Sequence, residues 1–229
     1  MRIKDKAEIV LQQLKKDYPR VDTPLIHNNA YEILIATILS PQTPDDTTNK
    51  VTPSLFKTYP RPLDLASADR EEVLEIIRSV NYNKTKSSRI IGAADMLHYD
   101  YNSKVPHQMD ELLKFPGVGR KVANVVISEW YAKKPYHDDS KSDLYNTVER
   151  GSILPVGFVV DTHVLRVSRM LGFTKSKDPV KVEQDLMKLF PREEWNDLSL
   201  RFIFHGREIN TAENPKIEQY TFWKDVYGV

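Results

Sequence analysis

Apolar positions recur with a helical period along most of the chain. Ile9, Val10 and Leu14 fall on one face of a predicted helix over residues 4–17, the spacing of a stripe turned toward a core. "YEILIATILS" (31–40) is apolar nearly all round, which predicts a helix buried in the middle of a bundle. "DREEVLEIIRSV" (69–80) joins an acidic first turn to apolar Val73, Leu74, Ile77 and Val80, the pattern of an amphipathic helix. "SSRIIGAADMLHYDY" (87–101) reads as another, and further helices are predicted at 110–114, 119–131, 161–171, 180–190 and 194–204. Prolines fall mostly between these runs or in first helical turns. "ILPVGFVV" (153–160) is the best strand pattern, but its two breakers favour an extended connector. The expected fold class is all-α, with about ten helices.

Residues 132–152, "AKKPYHDDSKSDLYNTVERGS", break the pattern: polar, mixed in charge and poor in large aliphatics. They read either as a solvated loop or insertion or as a loop that orders on a partner.

Composition excludes several chemistries. The 229 residues include no cysteine, which removes disulfides, thiolate zinc sites, cysteine nucleophiles and any cysteine-ligated iron–sulfur cluster. The six histidines show no HxxxH-type spacing, so no catalytic metal site is expected. Net charge is +1, and a nucleic-acid surface would have to come from local clustering. No apolar run is long enough for a signal peptide or a membrane span, leaving the cytoplasm, or a nucleus, as the default compartment.

Two segments can carry chemistry. In "FPGVGRKVANVV" (115–126), Pro116, Gly117, Val118 and Gly119 form a tight turn between a short helix and a longer one. Its glycines permit φ > 0 and leave the amides of the second helix bare to a phosphate, with the positive dipole end behind them. An ordinary helical hairpin fits the same composition. Arg120 and Lys121 lie in that helix's first turn, where the dipole disfavours a cation. Lys121 is a surface lysine, a phosphate contact, or an amine tuned as a nucleophile. In "VVDTHVLRVSRMLG" (159–172), Asp161 is a natural N-cap. The apolar run before it also suits a partly buried carboxylate turned into a cleft. His163 reads as structural.

The segments "FPGVGRKVANVV", "VDTHVLRVSRMLG" and "FIFHGRE" occur in the order and register of the endonuclease III family, the helix-hairpin-helix DNA glycosylases of base excision repair. "ILIATILSPQTPDDTTNKV" resembles that family's early buried helix and DNA-facing loop, and the likeness covers roughly 25–130 and 154–210. The resemblance implies two helical lobes with a DNA-binding cleft between them. One lobe would span 23–135 and hold the hairpin; the other would join 1–22 to 154–229; 132–152 would be a polar insertion. It implies duplex DNA with a damaged base or abasic site as partner, bound by a monomer, and the lack of cysteine leaves no cofactor expected. Lys121 would attack C1′, and Asp161 would assist by deprotonation and by stabilising positive charge on the sugar. Gln42 would fill the gap left by the flipped base, and Tyr82 would wedge into the opposite strand unless it merely caps a helix. Lys84, Lys86 and Arg120 would line the groove, and the amides around Pro116, Gly117, Val118 and Gly119 would hold a phosphate.

The chain departs from the family twice. The four C-terminal cysteines that hold an iron–sulfur cluster in most members fall here near Asn210, Ile217, Tyr220 and Val226. An apolar tail, with Ile217, Tyr220, Phe222, Trp223 and Tyr227, is expected to pack on Ile9, Val10 and Leu14 instead. Lys121 and Asp161 also stand forty positions apart, farther than is usual in the family. The resemblance points to a glycosylase with abasic-site lyase activity on oxidised pyrimidines. A monofunctional glycosylase for T or U opposite G and a non-catalytic DNA-binding relative are the alternatives, and both fit poorly with a chain that keeps Lys121 and Asp161.

Overall fold

The computed structural model describes residues 1–133, 144–213 and 215–228. Among the described residues twelve α-helices follow in order: α1 (Ile3–Asp17), α2 (Ala30–Leu39), α3 (Asp45–Thr58), α4 (Pro62–Ala66), α5 (Arg70–Ile76), α6 (Asn83–Tyr99), α7 (Met109–Leu112), α8 (Arg120–Val126), α9 (Thr162–Met170), α10 (Pro179–Leu189), α11 (Trp195–Glu208) and α12 (Thr221–Tyr227). Among the described residues β structure is limited to an isolated parallel bridge between Val105 and Asn146. The fold is all-α.

The chain divides into a continuous unit, Thr23–Leu154, and a discontinuous one, Met1–Asp22 with Pro155–Val229. In the continuous unit α2 is central and packs against α3, α6 and α8. Ile33, Leu34, Ile35, Ile38 and Leu39 are all buried, each contributing about 1.5–3 kcal/mol relative to exposure. The entry to α2 is closed reciprocally. The Asn29 side chain accepts from the Glu32 amide at 2.8 Å, and the Glu32 carboxylate accepts from the Asn28 amide at 2.7 Å.

Helix α3 was not expected. Its buried face is half threonine, with Thr48 and Thr52 beside Val51 and Leu55, and Pro53 lies inside it, so the apolar period is masked. Helix α5 stops at Ile76, short of the predicted 80. Helix α8 widens into a π-helix over Ile127–Ala132, closed by the Lys133 amide bonding to the Ser128 carbonyl at 3.0 Å.

Residues 134–143 of the expected polar insertion lie outside the described residues. Its later part, 144–152, is tied down. The Val105 amide donates to the Tyr145 carbonyl at 2.8 Å and the Gly151 amide to Tyr131 at 2.8 Å. Trp130 donates its indole N–H to Asn146, and the Arg150 guanidinium lies 4.2 Å from the centre of the Trp130 ring. These bonds tether the stretch to the continuous unit, while Leu144, Thr147, Glu149 and Ser152 remain exposed.

In the discontinuous unit one core unites Val10, Leu11 and Leu14 of α1 with Phe158, Val164, Val167, Leu186, Phe202 and Trp223. Helices α9 and α11 cross so closely that a Cβ at Gly206 would stand 2.9 Å from His163 Cβ, a contact only glycine permits. The tail packs through Trp223, which is 1% exposed and donates Nε1–H to Asp17 at 2.9 Å. Two expected members of that cluster face outward: Ile9 is 42% exposed and Tyr220 44%. Ile9 lies off the stripe that runs through Ala7, Val10, Leu11 and Leu14, and Tyr220 precedes α12 as its N-cap residue.

Candidate functional site

The hairpin turn is pinned by two buried apolar residues, Phe115 and Val118, through bonds from the Phe115 amide to Leu112 and from the Val118 amide to Phe115, both 3.1 Å. Gly117 has φ +82°, and a Cβ there would lie 2.9 Å from Ile38 Cγ2 and 3.0 Å from Arg89 Cδ. Glycine is therefore required by conformation and by space. Gly119 does not use the positive φ that glycine permits. It is extended, at φ −98° and ψ 177°, and a Cβ on it would meet nothing within 4 Å. Helix α8 then starts with no side-chain cap and no acidic residue in its first turn. Arg120 and Lys121 are both exposed there, and Pro116 is half-buried.

Two other tips belong to the same continuous unit. Gln42 is exposed, with φ +57°. Tyr82 is 66% exposed and precedes α6 at φ +59° and ψ 32°. Lys84 is exposed in the first turn of α6. Lys86 does not line a groove as expected. It is 3% exposed, and its ammonium donates to the carbonyls of Leu39 at 2.6 Å and Pro41 at 2.7 Å and to Thr43 Oγ1 at 2.9 Å. Burial, with Arg89 adding to it, holds its pKa down to about 8.

Asp161 stands in the discontinuous unit, half-buried, as the N-cap of α9. Its Oδ1 accepts from the Val164 amide at 2.8 Å. His163 follows it and serves packing: its ring faces Arg166 at 3.3 Å, and that guanidinium donates to the carbonyls of Gly206 and Asn210. Burial is the main cause that holds His163 below the usual histidine range.

No group of three or more His, Cys, Asp or Glu among the described residues could hold a metal ion. At the places where the family has its cluster, Asn210 and Ile217 are buried, and the Asn210 side chain donates to Tyr227 at 3.0 Å. His205 fills the same region, 4.1 Å ring to ring from Trp223 and 2.9 Å from the Tyr227 hydroxyl. This set offers no thiolate and does not fit an iron–sulfur cluster.

Residues 35–192 match the family model for HhH-GPD superfamily base excision DNA repair proteins. Endonuclease III of Synechocystis sp. is 39% identical over 212 residues, 93% of this chain and 87% of that protein. The Bacillus subtilis endonuclease III is 36% identical over 91% of this chain and 86% of its own length. The chain belongs to the endonuclease III family. A solved trapped covalent intermediate of endonuclease III with DNA superposes with a TM-score of 0.82 at 37% identity, covering 96% of this chain and 94% of that one. A thermostable thymine-DNA glycosylase shares the fold, with a TM-score of 0.75 at 16% identity.

Within this endonuclease III-family chain the sequence reading missed the roles of Thr43, Asn81 and Lys86. The available signal was a second lysine in the first turn of α6, an unfavourable place for a cation unless something else holds it.

Proposed function

We propose that Lys121 is the nucleophile through which this chain carries out base excision repair. Endonuclease III-family proteins of this kind are DNA glycosylases with abasic-site lyase activity, and DNA is the partner. Our reading is that the chain acts as a monomer on duplex DNA and removes oxidised pyrimidines. The observation that carries it is an exposed lysine in the first turn of a helix that has no side-chain cap and no acidic residue in that turn.

In this reading a phosphate lies on the amides that follow Gly117 and Gly119, beside Pro116 and Val118, where the helix dipole favours an anion. Arg120 and Lys84 add cationic charge toward the backbone. The target nucleotide leaves the stack, because its glycosidic bond is inaccessible within it. Gln42 takes the vacated space and Tyr82 wedges into the opposite strand. The Lys121 amine attacks C1′ as the C1′–N bond breaks, and the base leaves with the electron pair and takes up a proton. Asp161 accepts a proton from the attacking amine and stabilises the positive charge that develops on the sugar. Opening of the sugar ring gives an imine between Lys121 and C1′. Loss of a proton from C2′ then expels the 3′ phosphate by β-elimination.

The test is borohydride reduction with an abasic-site duplex. The native chain should yield a covalent protein–DNA adduct. Lys121→Ala should yield none while binding the duplex within a few-fold of native; an undiminished adduct would assign the chemistry to another amine.

A further inference from the structure

Gln42 and Tyr82 are forty residues apart, yet one platform carries both. Each is a non-glycine residue in the left-handed region, a conformation that persists only where the surroundings over-determine it. Here the surroundings are a polar network. Asn81 donates its side-chain amide to the Gln42 carbonyl and its backbone N–H to Thr43 Oγ1 at 3.2 Å. The Thr43 hydroxyl also accepts from Lys86. With its two carbonyl bonds, Lys86 uses all three ammonium protons beneath the tips.

The sequence explains why the lysine has to come from elsewhere. Leu39 is the last residue of α2, so its carbonyl has no partner within the helix. Helix α2 has no basic residue in its last turn. Lys86 reaches across from α6 to supply that donor and the cation that the dipole of α2 favours. None of its three partners is a carboxylate. Burying an ammonium against neutral acceptors is unfavourable compared with an apolar side chain of equal length. A methionine here would avoid that cost but would leave the Leu39 and Pro41 carbonyls and the Thr43 hydroxyl without this donor. The arrangement makes sense if the geometry of the loop is what has to be kept.

We propose that Lys86 is a positioning residue which, through Thr43 and Asn81, locks the Gln42 and Tyr82 tips into one preformed wedge for DNA. This rests on the reading of those two tips as DNA-penetrating. With the wedge rigid before the duplex is met, no ordering is required at the moment the base is extruded.

The experiment compares two substrates for each variant: a thymine-glycol duplex, where a base must be extruded, and an abasic duplex, where none remains. Each carries 2-aminopurine opposite the lesion to report unstacking by the wedge. Lys86→Met should slow base removal about tenfold more than it slows borohydride trapping on the abasic duplex, and should lower the 2-aminopurine signal. Thr43→Val should do the same, which keeps the test open if Lys86→Met folds poorly, and Thr43→Ser should recover most of that loss. Equal losses on both substrates, or none, would overturn the proposal and leave Lys86 as a fold element only. Gln42→Ala and Tyr82→Ala separate the two levels. If they show the substrate-dependent loss and Lys86→Met does not, the tips are DNA-penetrating and the proposal alone fails. If they show no such loss, the tips do not enter DNA and both readings fall.

Discussion

Helices α9 and α10 begin differently from α6 and α8. In the discontinuous unit, Asp161 and Asp178 each turn a carboxylate back onto an amide of their own helix, at 2.8 and 2.9 Å. In the continuous unit, α6 and α8 have no side-chain cap and no acid in the first turn, and they open with Lys84 and Lys86 and with Arg120 and Lys121. The capped starts satisfy their amides from within. The uncapped starts have no such internal acceptor, and in the proposed reading α8 offers its amides to a phosphate. The contrast is not a property of a whole unit, since Asn29 and Asp69 cap α2 and α5 within the continuous one. Nor is it confined to the continuous unit, since α12 also starts with neither a side-chain cap nor an acid in its first turn.

The comparison breaks most sharply at Asp161, which caps a helix and is also assigned chemistry. Asparagine caps as well as aspartate. Asp161→Asn should therefore keep Tm within a degree or two while slowing base removal about 10²-fold or more; a normal rate would reduce Asp161 to a cap.

Buried titrating groups give the next effect, measured as stability against pH. Burial lowers His205 in the discontinuous unit to about 3 and Lys86 in the continuous unit to about 8. In each case the unfolded chain binds more protons between the folded and unfolded pKa values, so stability rises with pH across that window. His205 should therefore cause a loss on the order of a few kcal/mol as pH falls from about 6.5 toward 3. A similar but smaller rise from Lys86 should appear above pH 8. Urea titrations across pH check both, and His205→Phe should flatten the acid limb.

Gly119→Asp would convert α8 into a start like that of α9. The space is open and the backbone is already extended, so the variant should fold and gain on the order of a few tenths of a kcal/mol. Duplex affinity should fall about tenfold at low salt, because the new carboxylate takes the place of a phosphate. Unchanged binding would remove the amides of α8 from the interface. The smallest expected effect is at the other pole: Asp178→Ala should cost about 1 kcal/mol in denaturant melts and leave DNA binding untouched.

The legible parts of the sequence were those where pattern and chemistry agree. The stripe of α1, the all-apolar α2 and the hairpin read directly, because period and turn residues are local signals. Helix α3 was hidden by buried threonines. The tie of 144–152 to Tyr31, Trp130 and Tyr131 was hidden because polar residues there meet partners far away in the chain. Lys86 illustrates the limit. Its sequence neighbours say cation at a helix start; only the fold says that the cation points inward to three acceptors.

The discontinuous unit has a consequence for synthesis. Helix α1 leaves the ribosome before the rest of its unit, carrying Ala7, Val10, Leu11 and Leu14 for a core whose other members begin at Phe158. The bond that closes this unit, from Trp223 to Asp17, spans 206 residues. Thr23–Leu154 has its own core and can condense while still tethered, but α1 must wait, apolar face uncovered, until nearly the whole chain has emerged. The nascent protein therefore carries an adhesive amphipathic helix while Thr23–Leu154 is being made, and this unit closes only when segments some two hundred residues apart meet.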